Sequence, residues 1–263
     1  MRDLSITLVQ ANQIWEDKAA NLQHYTELLG SITETDLILL PEMFQTGFSM
    51  NAERLAEKME DSFSISWLKQ QAKEKNTAFY TSLIIEEHGN YYNRGVFVEP
   101  TGNITCYDKR KLFGMAEESV HFTAGSKEVI VEYLGWKINL QICYDLRFPE
   151  NIRNGEIEGK PLYDLLLYVA NWPERRIHHW STLLPARAIE NQCYVAGLNR
   201  IGSDQLGHTY TGQSKLINLL GEELSNLSNS ESIITCSISY LNQFEIRDKL
   251  PFLRDSNYRS FKN

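Results

Sequence analysis

Apolar residues recur along this chain in two rhythms, continuous short runs and helical spacing. Leu4 to Gln10 and Asp36 to Leu40 are runs, and the second is unbroken from Leu37, as in strands covered on both faces. Between them, Asp17 to Leu29 sets Ala20, Leu22, Tyr25, Leu28 and Leu29 along one side of a helix that Gly30 stops. Ser64 to Lys75 predicts a second helix. Thr77 to Glu86 and Tyr91 to Glu99 predict strands joined at His88-Gly89-Asn90, and the turn Glu99 to Asn103 leads to a short strand, Ile104 to Tyr107. Val129 to Tyr133 and Lys137 to Ile142 predict a hairpin around Leu134-Gly135. Leu162 to Ala170 is a further buried strand, Arg176 to Gln192 is helical despite Pro185, and Tyr194 to Asn199 is a strand. A hairpin around Gly221 follows, then a strand from Ser232 to Ile238.

Helices alternate with strands while hairpins interrupt, which predicts an α/β layered domain with mixed pairing. Asp36-Leu37-Ile38-Leu39-Leu40 and Asp164-Leu165-Leu166-Leu167-Tyr168 look alike and both run into polar loops. An internal repeat would produce this, and so would any two buried strands. Periodicity does not distinguish one sheet from two.

Composition narrows the function classes. The 263 residues contain no Ser/Gly-rich linker, low-complexity run or block of like charge, so a single domain over residues 1–263 is expected. A net charge of −8, from 26 basic against 34 acidic residues, argues against nucleic acid as a partner. No apolar run approaches the roughly 20 residues that span a bilayer. Met1 to Thr7 runs into a strand without a signal-peptide pattern. Cys106, Cys193 and Cys236 stand in β-like surroundings and read as reduced core residues of a cytoplasmic protein. No C-x-x-C pair exists, and His178-His179, the one close histidine pair, would point apart on a helix, so no metal site is expected.

Three segments carry candidate chemistry. In Gly135 to Glu150 an apolar strand runs out at Cys143, and helix-starting residues follow, so a stiff strand aims the thiol and the next N–H groups face what it attacks. From that segment alone a nucleophile and a buried structural thiol are equally good readings. Glu42 ends a second apolar strand beside Pro41, as a general base would, or as an exposed loop glutamate would. Lys109-Arg110-Lys111 follows the strand ending at Tyr107, where a basic triplet is more often a solvated edge.

Together and in this order, Pro41-Glu42, Lys109-Arg110-Lys111-Leu112-Phe113 and Ile142-Cys143-Tyr144-Asp145-Leu146-Arg147-Phe148-Pro149-Glu150 resemble the nitrilase, or carbon–nitrogen hydrolase, superfamily. The likeness covers nearly the whole chain. Asn93-Arg94-Gly95, Tyr168 to Pro173, Ala186 to Gln192 and Asn199 to Gly202 are similar to its ω-amidase branch, the bacterial 2-oxoglutaramate amidase type. The resemblance implies a four-layer α-β-β-α sandwich, at least a homodimer, and a cofactor-free hydrolase of small-molecule amides. It places Cys143 as nucleophile, Glu42 as proton shuttle and Lys109 as the cation at the developing oxyanion, with the Tyr144 backbone N–H as a second donor. Lys111 stands where many relatives carry histidine. Glu118 rather than Glu117 matches a supporting acid that holds Lys109 or the substrate amide; a plain surface acidic pair is the competing reading. Asp145 and Arg147 read as a structural ion pair, with Arg147 and Arg94 also candidate anchors for a substrate carboxylate. Asn171 and Trp172 either line the pocket or close the core, and Arg175 and Arg176 hint at anion recognition. The implied activity is release of ammonia from small ω-amides through a thioester. The alternatives are an N-carbamoyl amino acid or other aliphatic amide hydrolase on the same residues, and a catalytically silent scaffold.

Overall fold

The computed structural model describes residues 2–225 and 229–255. The chain forms β1 (Leu4–Gln10), α1 (Lys18–Leu29), β2 (Leu37–Leu39), α2 (Ala52–Leu55), α3 (Phe63–Lys75), β3 (Ala78–Glu87), β4 (Asn90–Val98) and β5 (Ile104–Asp108). Then follow α4 (Glu118–His121), β6 (Ile130–Tyr133), β7 (Trp136–Ile142), β8 (Glu156–Ile157), β9 (Lys160–Pro161), β10 (Leu165–Ala170) and α5 (Ile177–Asn191). The last elements are β11 (Tyr194–Asn199), β12 (Ile201–Ser203), β13 (Thr209–Thr211), β14 (Lys215–Ile217), β15 (Ser232–Ile238) and α6 (Tyr240–Lys249). Helix ends follow local chemistry. Asp17 and Ser62 cap α1 and α3 by accepting the N–H of Ala20 and Ile65, and α3 and α5 stop at Asn76 and Gln192, both in the left-handed region.

Two large sheets result, ordered β15-β1-β2-β3-β4-β5 and β14-β11-β10-β7-β6, beside the two-stranded pairs β12-β13 and β8-β9. Leu37 and Leu39 of β2 pack inward with Ile6 and Leu8 against Leu140 and Leu167 of the second sheet. Ile38 and Leu40 point the other way, onto Leu22 and Tyr25 of α1 and Leu68 of α3. Trp180, Leu184 and Ala188 of α5 cover the far side of the second sheet, where a Cβ at Gly197 would stand 2.6 Å from Leu184 Cδ1. The layers are therefore α-β-β-α, as the resemblance implied. Among the described residues no helix is long and apolar enough to cross a membrane.

The likeness of the two Asp-led runs is structural. β1, β2 and β3 pair in parallel, as do β7, β10 and β11. The Asp36 carboxylate accepts from Ser5 N on the neighbouring strand, and Asp164 accepts from Lys137 N in the same way. Both aspartates also exchange backbone bonds with equivalent neighbours, Ser5 O and Ala78 N for Asp36, Lys137 O and Tyr194 N for Asp164. The two sheets are thus copies of one motif packed face to face.

Three expectations need correction, and one helix was not expected. The strand expected from Leu162 begins at Leu165, because Leu162 bonds back to Gly155 in a loop. The arm returning from Gly221 is only a single bridge to Glu223 with Leu224 N on Leu216 O. Helix α6 buries only Gln243 fully and exposes Leu241 and Phe244, so the apolar pattern gave no sign of it. Of the three cysteines read as core strand residues, Cys193 is buried but lies between α5 and β11, while Cys106 and Cys236 are only partly buried; all four thiols are free.

Candidate active site

The parallel strands of both sheets end on one side, and their C-terminal ends carry the chemistry. Glu42 follows β2, Lys109 follows β5, Cys143 follows β7 and Asn171 follows β10. Glu42 and Glu118 are fully buried and Lys109 is 1% exposed, so sequence readings of a loop glutamate, a surface acidic pair and a solvated basic edge all give way. Lys109 Nζ lies 2.9 Å from Glu42 Oε1 and 3.0 Å from each oxygen of Glu118. Asn93 Nδ2 donates to Glu42 Oε1 at 2.8 Å and to Glu118 Oε1 at 3.3 Å. Asn171 N donates to Glu42 Oε2 at 2.9 Å, and Asn171 Nδ2 and Gln13 Nε2 hold the Glu42 carbonyl. Burial alone would lower the Lys109 ammonium, but the Glu118 and Glu42 charges outweigh it and hold it protonated. Burial pushes Glu118 upward, with Lys109 pulling against it.

Cys143 occupies the sharp turn between β7 and a 3₁₀ turn over Cys143–Arg147, at φ +44°. Such a backbone costs on the order of 1–3 kcal/mol and persists only where its surroundings hold it. Asp145 is the holder. Its buried carboxylate accepts from Ile142 N, Tyr107 OH and Lys111 N at 3.0, 2.8 and 2.9 Å, which ties the turn to the segment carrying Lys109. The expected Asp145–Arg147 ion pair is therefore absent. Arg147 instead stacks over Trp172 at 4.6 Å and meets His179 Nδ1 at 3.1 Å. Lys111 turns outward over Phe148, toward Glu150.

The thiol opens on a cavity of about 340 Å³ whose walls include Lys109, Tyr144, Arg147, Asn171, Trp172, Arg175 and Arg176. Phe48, Met50, Phe113 and Met115 make its apolar side, and Asp204, His208 and Tyr210 enter from the β12–β13 hairpin. Trp172 answers both sequence readings, since it lines the cavity and is 2% exposed against Trp180. Arg94 does not reach the cavity. It follows Asn93 on β4, so its side chain leaves the opposite face, where Asp108 and Glu87 pair with it. Arg147, Arg175 and Arg176, by contrast, form no ion pair among the described residues.

The family profile for carbon–nitrogen hydrolases matches residues 5–243. The chain belongs to that family. It is 43% identical over 98% of both chains to an ω-amidase, YafV, of Escherichia coli K12, and 35% identical over 84% of both chains to a 2-oxoglutaramate amidase of Bacillus subtilis. A crystal structure of a carbon–nitrogen hydrolase superfamily protein from Xanthomonas campestris, carrying an arsenic adduct in its active site, superimposes with a TM-score of 0.95. That protein shares 40% identity over 98% of each chain.

Within this hydrolase the Cys143 thiol is held well above the ordinary range, first by burial and then by the Glu42 charge and a hydrogen bond to it, with Lys109 opposing. The arrangement stores a neutral thiol against a buried carboxylate, suited to moving the proton as the sulfur attacks. Two consequences are testable by ultraviolet thiolate absorbance. In the native protein no Cys143 thiolate should appear as pH passes the ordinary thiol value of about 8.5. In Glu42→Gln, where the raising charge is gone and Lys109 remains, the thiolate should appear at lower pH than in the native protein. An unchanged or higher value would mean that Glu42 does not face the sulfur.

Gln13 has no signal in the sequence, Asp145 is expected there to pair with Arg147, and Asn93 stands only within a branch motif. Asn93 lies beside Arg94, and strand alternation is the signal that separates the two.

Proposed function

We propose that this enzyme releases ammonia from ω-amides of short dicarboxylic and 2-oxo dicarboxylic acids, such as 2-oxoglutaramate, through a thioester on Cys143. Glu42 takes the thiol proton as sulfur bonds to the amide carbon. Lys109 and the Tyr144 N–H, at the start of the 3₁₀ turn where N–H groups have no helical partner, face the oxyanion. Glu42 passes the proton to nitrogen, the C–N bond breaks and ammonia leaves. A water molecule then gives a proton to Glu42 and its oxygen to the acyl carbon, and the C–S bond breaks as Glu42 returns that proton to sulfur, which restores the thiol and releases the acid. Glu118 and Asn93 hold Lys109 and Glu42 in place throughout.

The observation that carries the substrate class is the wall of three arginines, Arg147, Arg175 and Arg176, that have no carboxylate partner among the described residues and share a cavity with the thiol. A guanidinium matches a carboxylate with two parallel hydrogen bonds and so fixes how far the scissile amide lies from sulfur. The names of the ω-amidase and 2-oxoglutaramate amidase relatives support the same class. The proposal includes a single catalytic domain, a cytoplasmic location, which the four free thiols support, and assembly as a homodimer or larger homo-oligomer.

The test compares 2-oxoglutaramate and succinamate with butyramide, a neutral amide of similar length. The anionic amides should have the higher kcat/KM, and kcat itself should fall without the carboxylate, because remote binding energy positions the reacting atom. Neutralising Arg147, Arg175 and Arg176 one at a time should erase the difference at the true anchor. Equal hydrolysis of butyramide would overturn this class and turn attention to N-carbamoyl and larger aliphatic amides.

A further inference from the structure

We propose that Arg200 is a positioning residue that sets Glu42 against Cys143 by clamping the two sheets together at the site end. Arg200 follows β11 and is fully buried, and its hydrogen bonds go to neutral acceptors on three separate segments. Nη2 reaches Asn12 Oδ1 at 3.0 Å and the Gln13 carbonyl at 3.1 Å, just beyond β1 of the first sheet. Nη1 faces Asn171 Oδ1 at 3.5 Å, just beyond β10 of the second. Nε holds the Ile201 carbonyl at 3.0 Å, and the guanidinium lies 4.6 Å from the Tyr210 ring centroid on the cavity wall.

Two of these partner residues, Gln13 and Asn171, also hold Glu42. Gln13 Nε2 donates to the Glu42 carbonyl at 3.0 Å; Asn171 donates to that carbonyl at 2.6 Å and to Glu42 Oε2 at 2.9 Å. The arrangement matters because Glu42 and Cys143 come from different sheets. Apolar packing between sheets is non-directional and does not by itself hold a base to a fraction of an ångström from a thiol. A planar fork of donors gripping both sheets does. The cost of burying a guanidinium with no ion-pair partner among the described residues is substantial, and burial does push Arg200 below its ordinary range, with Tyr210, Tyr25 and Asp204 opposing.

The inference rests on Glu42 acting as the base, so the test separates the two. Ammonia release is measured for the full chain carrying Arg200→Met, Arg200→Lys, Glu42→Asp and the Arg200→Met/Glu42→Asp pair, each normalised to folded protein by circular dichroism. Arg200→Met should lower kcat about a hundredfold, the scale of a misplaced reacting group, with KM nearly unchanged. Arg200→Lys, which keeps the charge but cannot grip three segments, should also lose kcat, and it carries the test if the methionine variant does not fold. In the Glu42→Asp background, where the carboxylate is already withdrawn, removing Arg200 should cost far less than it does alone. Full multiplicative loss in the pair, a change confined to KM, or native kcat in Arg200→Lys would overturn the positioning role. If Glu42→Asp and Glu42→Gln both kept native rates, the base assignment would fail first, whatever Arg200 did.

Discussion

Cys143→Ala should abolish ammonia release, by on the order of 10⁴-fold or more, the loss seen when the nucleophile of a concerted set is removed. Alanine keeps the Cβ, so the strained φ of +44° is unchanged and Asp145 still holds the turn. The fold and melting temperature should therefore stay close to native. The other thiols cannot substitute. Cys193 is fully buried, Cys106 lies in β5 and Cys236 in β15, and burial raises each of them away from reactivity. None lines the cavity that Cys143 lines. Rapid quenching of the native enzyme with substrate, followed by peptide mass spectrometry, should place the acyl adduct on Cys143. An adduct on Cys106, Cys193 or Cys236, or turnover in the alanine variant, would remove Cys143 from its role.

Glu42→Gln and Lys109→Met should each cost at least about a hundredfold in kcat, the scale for losing a shuttle or an oxyanion partner. The lysine change carries a second effect. It leaves Glu42 and Glu118, both fully buried, without the ammonium that bonds to both. Breaking a buried pair in this way costs about 3–5 kcal/mol of stability, because an uncompensated charge remains inside. Adding Glu118→Gln to Lys109→Met removes one of the stranded charges, so the double variant should melt higher than Lys109→Met alone. Its activity should not recover, since the oxyanion cation is still missing. Recovery of activity together with stability would show that Lys109 serves only to hold the acids, and the oxyanion role would be withdrawn.

Sequence by itself determined the strands that lead to the site and the three residue types at their ends. Leu37 to Leu39 and Leu165 to Ala170 are legible as unbroken apolar runs, the pattern of strands covered on both faces, and Trp136 to Ile142 as an alternation of apolar and polar residues; Glu42 stands just beyond the first run and Cys143 just beyond the alternating strand. The ordered motifs around Glu42, Lys109 and Cys143 carried the likeness to the family. Tertiary structure alone decided how those ends meet. Whether Glu118 was a surface acid or the partner of Lys109 depends on the chain folding back over a separation of nine positions, which local pattern does not encode. Arg94 and Arg147 look equivalent as arginines near motifs. One faces Asp108 and Glu87 across a sheet edge, while the other faces the cavity and forms no ion pair among the described residues. Asp145 was paired with its neighbour Arg147 on paper, but a turn of this shape aims its side chain back under the strand, toward Tyr107 and Lys111. The division has one physical cause. Burial and periodicity are properties of a few adjacent residues, whereas a buried charge finds its partner across the fold, and only the packing of the two sheets says which partner that is.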